Sequence, residues 1–502
     1  MCIAEDKMYK PNLQEFLKLS SKGNVIPVYK EINADLETPV SAFLKIKKSD
    51  YAFLLESVEG QEKIARYSFL GSNPSLVFTS KGRDIRISRT CGNSVKFRTN
   101  ATPLDEIKKI MRDFRSVHVA GLPRFYGGLV GYIGYDMVRF FEEIPDKNRD
   151  DLNFADAVFM MTDSILIFDH VNHTIKIVNN VMLPAGRKVS VGFKKAAYAK
   201  ALKNIEAIQK DFHRPLCNEK ELLRAGRGRV KVSSNFSLKG FKGIVAKAKE
   251  YIKKGDIIQA VLSQRFKASI HNDPLSIYRN LRSLNPSPYM YFLKLKDLAI
   301  VGASPEMLVR CEDNLIQTRP IAGTRPRGKN EEEDKALAVE LLNDKKERAE
   351  HLMLVDLGRN DLGRVSKTGS VKVSDFMGIE KYSHVMHLVS EVRGTLDEKE
   401  YDIYDVLKAA FPAGTVSGSP KIRAMEIIDE LENIRRGPYA GCVGYFSFSH
   451  NMDTCITIRT IVIKGNIAYI QAGAGIVADS VPEKEYKESV NKAKALIEAI
   501  AK

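Results

Sequence analysis

The stretch TCITIRTIVIKGNIAYIQAGAGIVA, Thr454–Ala478, decides between two folds. Its tail, Gly473–Ala478, fits the G-x-G-x-x-A pattern that opens a dinucleotide-binding βαβ unit. Its first part argues the other way. Two β-branched runs flank Gly465 and Asn466, a residue pair suited to a two-residue hairpin, so the ladder is expected to be antiparallel. After Ala478, Ser480 and Pro482 intervene before a last helix, and no second strand follows to supply a ribose-binding acid. The Gly-rich segment GTVSGSPK, Gly414–Lys421, lacks Walker spacing, so nucleotide binding is set aside. The hairpin register places Arg459 opposite Ala472, with its guanidinium beside the backbone of Gly473, Ala474 and Gly475. A fork-shaped cation next to exposed N–H groups makes a carboxylate receptor.

Outward from the hairpin the chain is rich in further strand-like runs: YAFLLES, SLVFTS and LVGYIGY, then SILIF and TIKIV around the turn-rich DHVNHT. A polar helix is expected over Phe193–Phe212. Residues 213–236, rich in turn formers and charge, are read as a linker between regions 1–212 and 237–502. Phe241, Ile244, Val245, Ala248 and Ile252 recur at helical spacing, and Gly255 marks the helix stop. In DIIQAVLSQRF, alternation places Ile258, Ala260, Leu262 and Phe266 on a core face. Gln259, Val261, Ser263 and Arg265 then face water or a cleft.

The 502 residues allow two to four domains or one large α/β body, and 44% hydrophobic with 28% charged residues describes an ordinary soluble protein. No apolar run reaches the roughly 20 residues of a membrane span, and the first residues, MCIAEDKMYKPNLQEF, do not resemble a targeting peptide, so the cytoplasm is expected. A formal charge of +16 invites a nucleic-acid reading. The lysines, however, alternate with acids, as on a solvated helix face, and a modest surplus can equally draw in a small polyanion. Six scattered cysteines without a CxxC pair suggest neither zinc nor a disulfide framework, and Cys442 reads as packing.

Two pairs of acids share a spacing of three. Glu347 and Glu350 lie in KKERAEHLMLVDLG, and Glu485 and Glu488 in a final helix whose start, Ser480 with Glu483, has capping-box spacing. Either pair alone is ordinary helix surface. If the two meet, four carboxylates need protons or a cation, and oxygen-only donors suit Mg²⁺.

The segments GDIIQAVLSQRF, GASPEMLVR, TRPIAGTRPRG, AEHLMLVDLGRNDLGRV, FPAGTVSGSPKIRAMEIIDELE and GAGIVADSVPEKEYKES occur in the order seen in chorismate-utilising enzymes. Over essentially its whole length the chain resembles the large subunit, component I, of the anthranilate synthases. The resemblance implies an α/β fold of the α+β type, with two large antiparallel β-sheets packed as a sandwich, flanking helices, and the active site between them. It implies Mg²⁺-dependent amination of chorismate by ammonia, with loss of pyruvate to give anthranilate. Glu350 and Glu488 then resemble direct metal ligands, and Glu347 and Glu485 holders of metal-bound water. Thr415 and the Gly475 backbone match contacts to the ring carboxylate, and Tyr439 and Arg459 match residues that hold the enolpyruvyl tail. Ala322, Gly323, Thr324, Gly473, Ala474 and Lys492 complete the implied substrate contacts. Glu306 resembles a general acid, which would require a raised pKa. His387 resembles the histidine of the pyruvate-elimination step.

Relatives that add water carry a lysine at the position of Gln259, and many aminodeoxychorismate synthases carry one at that of Ala322. Neither residue here can serve as base or nucleophile, which leaves attack to free ammonia. Since no amidotransferase nucleophile elbow is found, the resemblance implies a separate glutamine amidotransferase subunit and hence a hetero-oligomer. It also implies an L-tryptophan feedback site in region 1–212 and beyond, formed by Glu56, Ser57, Pro288, Tyr289, Met290, Val443 and Tyr445. The alternatives are an aminodeoxychorismate synthase lacking the loop lysine and, from a different class, a basic RNA-binding or regulatory protein.

Overall fold

The computed structural model describes residues 8–47, 49–57, 66–90, 92–186, 188–212, 214–215, 230–382 and 385–502. The opening hairpin is antiparallel and in the expected register, Ile461 opposite Ile470 and Lys464 opposite Ile467, turning at Gly465 with φ 57°. The ladder ends before Arg459, which takes φ 50° and whose carbonyl accepts from the Ala303 N–H. Arg459 is therefore not paired with Ala472 as extrapolation required. The left-handed residue breaks the strand and redirects the side chain.

Every strand pairing in two large sheets is antiparallel. Among the described residues they hold thirteen and twelve strands. The first sheet places Tyr51–Glu56 beside Tyr289–Leu295, and Ile467–Ile476 beside Gln259–Ser269. The second places Gly128–Ile133 beside Cys442–Ser447. Strands from before and after residues 213–236 thus share both sheets. The described part of that segment includes the strand Val232–Ser234, which pairs with Gln259–Ser269.

The alternation of side chains along each strand builds the layers. Val130 and Tyr132 enter the core between the sheets with Val443, Tyr445, Phe69 and Phe292. Their neighbours Leu129 and Ile133 face the other way, into a core shared with Leu104 and Ile107 of the helix Pro103–Arg112 and Val406 and Leu407 of the helix Ile403–Ala410. A third core joins Ala260, Leu262, Ala474 and Ile476 to the helices Leu238–Lys254 and Lys421–Leu431.

Local readings hold in most places. The SILIF and TIKIV runs pair as a hairpin, the polar helix runs Val191–Phe212, and Gly255 caps its helix at φ 84°. Two fail. Ile258 is 60% exposed, because the strand begins only at Gln259. The last helix, Pro482–Ala501, is N-capped by Val481 without a side-chain bond. Ser480 instead accepts from the Val477 N–H, so the expected capping box does not form. Cys311, Cys442 and Cys455 are free and buried, whereas Cys2, Cys91 and Cys217 lie outside the described residues. No described helix is long and apolar enough to cross a membrane.

Candidate active site

A cavity of about 530 Å³ opens where the glycine-rich strand Ile467–Ile476, the strand Gln259–Ser269, the turn Gly414–Val416 and the strand Ile321–Pro326 meet two helices. Glu347 and Glu350 stand in the first turns of the helix Lys345–Gly363, and Glu485 and Glu488 in those of Pro482–Ala501. Helical spacing aims each pair to one side, and all four acids line the cavity.

Their electrostatics couple across the two helices. Burial raises the Glu350 carboxyl above its ordinary range, and Glu347 and Glu488 raise it further. Glu347 and Glu485 are likewise raised, first by burial, with Glu488 adding to both. Glu350 and Glu485 form no ion pair among the described residues. Glu488 holds the Lys492 ammonium at 2.7 Å, and Lys492 also donates to the Gly473 carbonyl at 3.1 Å. As they stand, no three His, Cys, Asp or Glu side chains among the described residues converge on a single point. Their donor chemistry nevertheless suits a hard divalent ion: four oxygen donors that repel one another face one polar cavity.

Gln259, 3% exposed, presents its amide to this wall, with Nε2 donating to Glu350 Oε1 at 3.4 Å and Oε1 buried without a partner. Both faces of its strand are buried, so of the two environments left open for Gln259 the cleft is the one observed. Gly475 makes room for it, since a Cβ there would sit 2.5 Å from Gln259 Nε2.

Opposite lies Glu306, 6% exposed. Burial pushes its carboxyl up to about 8, against the opposing pull of the Thr415 hydroxyl, the Ile321 N–H and the Lys492 ammonium. The Thr415 hydroxyl stops short of a well-aligned hydrogen bond and is left without a partner. His387 Nδ1 lies 3.0 Å from both the Gly323 carbonyl and the Thr324 hydroxyl. A carbonyl can only accept, so Nδ1 carries the proton and Nε2 keeps its lone pair. Burial, with Arg459 adding to it, lowers the His387 pKa, so the ring is neutral at pH 7. Arg459 donates to the Lys492 carbonyl at 2.7 Å and has no carboxylate partner among the described residues. Its neighbour Tyr439 is buried, with its hydroxyl pKa raised to about 12.

The cavity therefore gathers Gln259, Glu306, Thr415, His387, Ala322, Gly323, Thr324, Tyr439, Arg459, Gly473, Gly475, Lys492 and the four glutamates. Ala474 is the exception. Strand alternation turns its methyl outward, into the core under the helix Leu238–Lys254. Three polar wall residues were not expected in the site: Lys346, Gln471 and Ser480, the last read only as a helix cap. Gln471 had a signal, a lone amide in an apolar strand, and its Oε1 is also buried without a partner.

A smaller cavity of about 60 Å³ lies between the sheets, lined by Glu56, Ser57, Pro288, Tyr289, Met290, Val443 and Tyr445, all seven residues of the expected second site. Burial raises the Glu56 carboxyl, which accepts from the Tyr278 hydroxyl and pairs with Arg282 at 3.3 Å. The Ser57 hydroxyl is buried and unpartnered. Unforeseen here are Arg124, Arg310 and Asp453. The Asp453 carboxylate accepts from Arg310 at 2.9 Å, Arg124 at 3.3 Å and Tyr289 at 3.0 Å.

Residues 50–498 match the family model described as chorismate binding enzyme. Anthranilate synthase component 1 of Aquifex aeolicus is 52% identical, covering 97% of this chain and 97% of the relative. That of Acetivibrio thermocellus is 49% identical, covering 98% and 99%. The crystal structure of anthranilate synthase component I from Streptococcus pneumoniae superposes with a TM-score of 0.77 at 38% identity, covering 93% of this chain and 99% of that one.

Proposed function

Because the chain belongs to the chorismate binding enzymes, we propose that its large cavity converts chorismate and ammonia to anthranilate, pyruvate and water. The observation that carries this reading is the meeting, in one cavity, of two glutamate pairs from distant helices, a buried acid that keeps its proton, and an arginine with no carboxylate partner among the described residues. Arg459 and Tyr439 take the enolpyruvyl carboxylate, a charge-assisted fork beside a phenol. The Thr415 hydroxyl and the backbone at Gly475 orient the ring carboxylate. A Mg²⁺ held by Glu350 and Glu488, with Glu347 and Glu485 behind them, would anchor that carboxylate and draw electron density out of the ring.

Glu306, still protonated at neutral pH, gives its proton to the departing ring hydroxyl. Ammonia is uncharged and needs no base to attack, which accords with an amide at Gln259 and a methyl at Ala322. His387, neutral and fixed by its Nδ1–H, offers Nε2 to the step in which pyruvate leaves and the ring becomes aromatic. Supply of ammonia falls to a glutamine amidotransferase subunit, and the smaller cavity takes L-tryptophan as inhibitor, its amino group meeting acids and its indole the apolar walls.

The test is incubation of the purified chain with chorismate, Mg²⁺ and ammonium while anthranilate fluorescence is followed. Product chromatography separates anthranilate from a para-amino isomer. No turnover, or the para isomer, refutes the reading.

A further inference from the structure

A guanidinium that does not itself line the large cavity holds much of its wall. Arg436 is 3% exposed, and four of its N–H bonds are spent on two kinds of partner. Nε and Nη2 grip both oxygens of Glu432, at 2.9 and 2.6 Å. Nη1 donates to the Val416 carbonyl and Nη2 to the Val261 carbonyl, each at 2.7 Å. The cation also rests against the Tyr439 ring, 5.5 Å from its centroid. Glu432 extends the network: Oε1 accepts from the N–H and the hydroxyl of Ser263, each at 2.8 Å, and the same hydroxyl accepts from Gln471 Nε2 at 2.8 Å.

We propose that the buried Arg436–Glu432 pair positions the substrate contacts of the cavity, fixing the Thr415 turn, the Gln259 strand, the Tyr439 ring and the Gln471 amide relative to one another. This inference rests on the functional reading above. Those four wall pieces come from four separate stretches of chain; the first three meet the pair directly, and the Gln471 amide reaches it through the Ser263 hydroxyl. Val416 follows Thr415 directly, and Val261 is two residues from Gln259, so a shift of either carbonyl moves a side chain assigned to substrate or to the acid wall. A planar fork can serve all these acceptors at once, whereas an ammonium on a flexible stem cannot reproduce the geometry. Arg436 is a positioning residue, since it acts through Thr415, Gln259 and Tyr439.

The experiment compares Arg436→Lys and Ser263→Ala with the unsubstituted chain in steady-state kinetics with Mg²⁺ and ammonium, and in chorismate binding without ammonium. Thermal melting and circular dichroism report the folded fraction. Per folded molecule, Arg436→Lys is expected to lose on the order of a hundredfold in kcat/KM, the scale of a roughly 1 Å misplacement. Its KM for chorismate should rise and its KM for ammonium stay put. Ser263→Ala, which frees only the Gln471 amide and one Glu432 contact, is expected to raise the chorismate KM severalfold with little change in melting. If Arg436→Lys folds and matches the unsubstituted kcat/KM and chorismate affinity, the pair is only structural and the proposal falls. Should Arg436→Lys not fold, unchanged kinetics in Ser263→Ala overturn it. An unsubstituted chain inert to chorismate would instead sink the functional reading, and this inference with it.

Discussion

Replacing Glu306 by glutamine should make the protein more stable in alkali and nearly inactive, two effects of opposite sign. The folded state keeps the Glu306 proton up to a pH of about 8, whereas an ordinary glutamate releases it near 4.5. Between those values the folded chain binds more protons than the unfolded one, so stability falls as pH rises, and the loss is complete above 8. At about 1.4 kcal/mol per tenfold, the difference corresponds to roughly 5 kcal/mol. Glutamine preserves the shape and the polar contacts without the charge. Its melting temperature should therefore exceed that of the unsubstituted chain by several degrees at pH 9 and match it at pH 5. Turnover should fall by about 10²- to 10⁴-fold, the usual yield of a positioned acid. The unsubstituted chain, assayed at constant free ammonia, should lose kcat above about pH 8, and the variant's residual rate should lack that limb. Differential scanning calorimetry at the two pH values, with anthranilate fluorescence across the range, reads both. A variant that melts lower at pH 9, or retains a tenth of the turnover, would refute the assignment of Glu306 as a buried, protonated acid.

Other substitutions probe the remaining walls. Gly475→Ala places a methyl 2.5 Å from Gln259 Nε2 and should push that amide aside, costing on the order of a hundredfold in kcat/KM with melting unchanged. An unaffected rate would show that the position of Gln259 does not matter. Glu350→Gln should raise the Mg²⁺ concentration for half-maximal turnover at least about tenfold and blunt the rise in melting temperature that Mg²⁺ produces in the unsubstituted chain. Equal Mg²⁺ titrations by both readouts would remove Glu350 from the metal site. Glu56→Gln should weaken inhibition by L-tryptophan about tenfold, or about 1.4 kcal/mol, and leave the KM for chorismate alone. Unaltered inhibition would place the amino group elsewhere, with Asp453 the next acid in that cavity.

The sequence disclosed most where period and turn chemistry act locally. Gly465–Asn466 fixed a hairpin register that the ladder reproduces, and the three-residue spacing of the glutamates placed each pair on one side of its helix. It disclosed less where one residue's backbone departs from its neighbours. Arg459 leaves the ladder through a left-handed conformation that strand alternation does not anticipate, and the Ser480 hydroxyl accepts from the Val477 N–H rather than from a helix N–H. Least legible were contacts that only tertiary folding assembles. Gln471 meets the Ser263 hydroxyl, and the Arg436–Glu432 pair, itself only four residues apart, meets the Val261 and Val416 carbonyls, across long stretches of chain, and spacing carries no trace of those meetings. The resemblance supplied roles, and the geometry supplied which of the named side chains share a wall. Ala474 shows the limit, since it sits amid cavity residues in sequence while its methyl points into a different core.

The two glutamate pairs belong to helices that begin at Lys345 and Pro482, so an ion shared between them would bridge parts of the chain that nothing local ties together. Binding and the seating of the last helix then become one linked equilibrium: whatever loosens that helix dilutes affinity for the cation, and whatever fills the cation site tightens the helix. The enzyme would be assembled in part by its own reagents, and its resistance to heat or proteolysis near the carboxyl terminus would track their concentration.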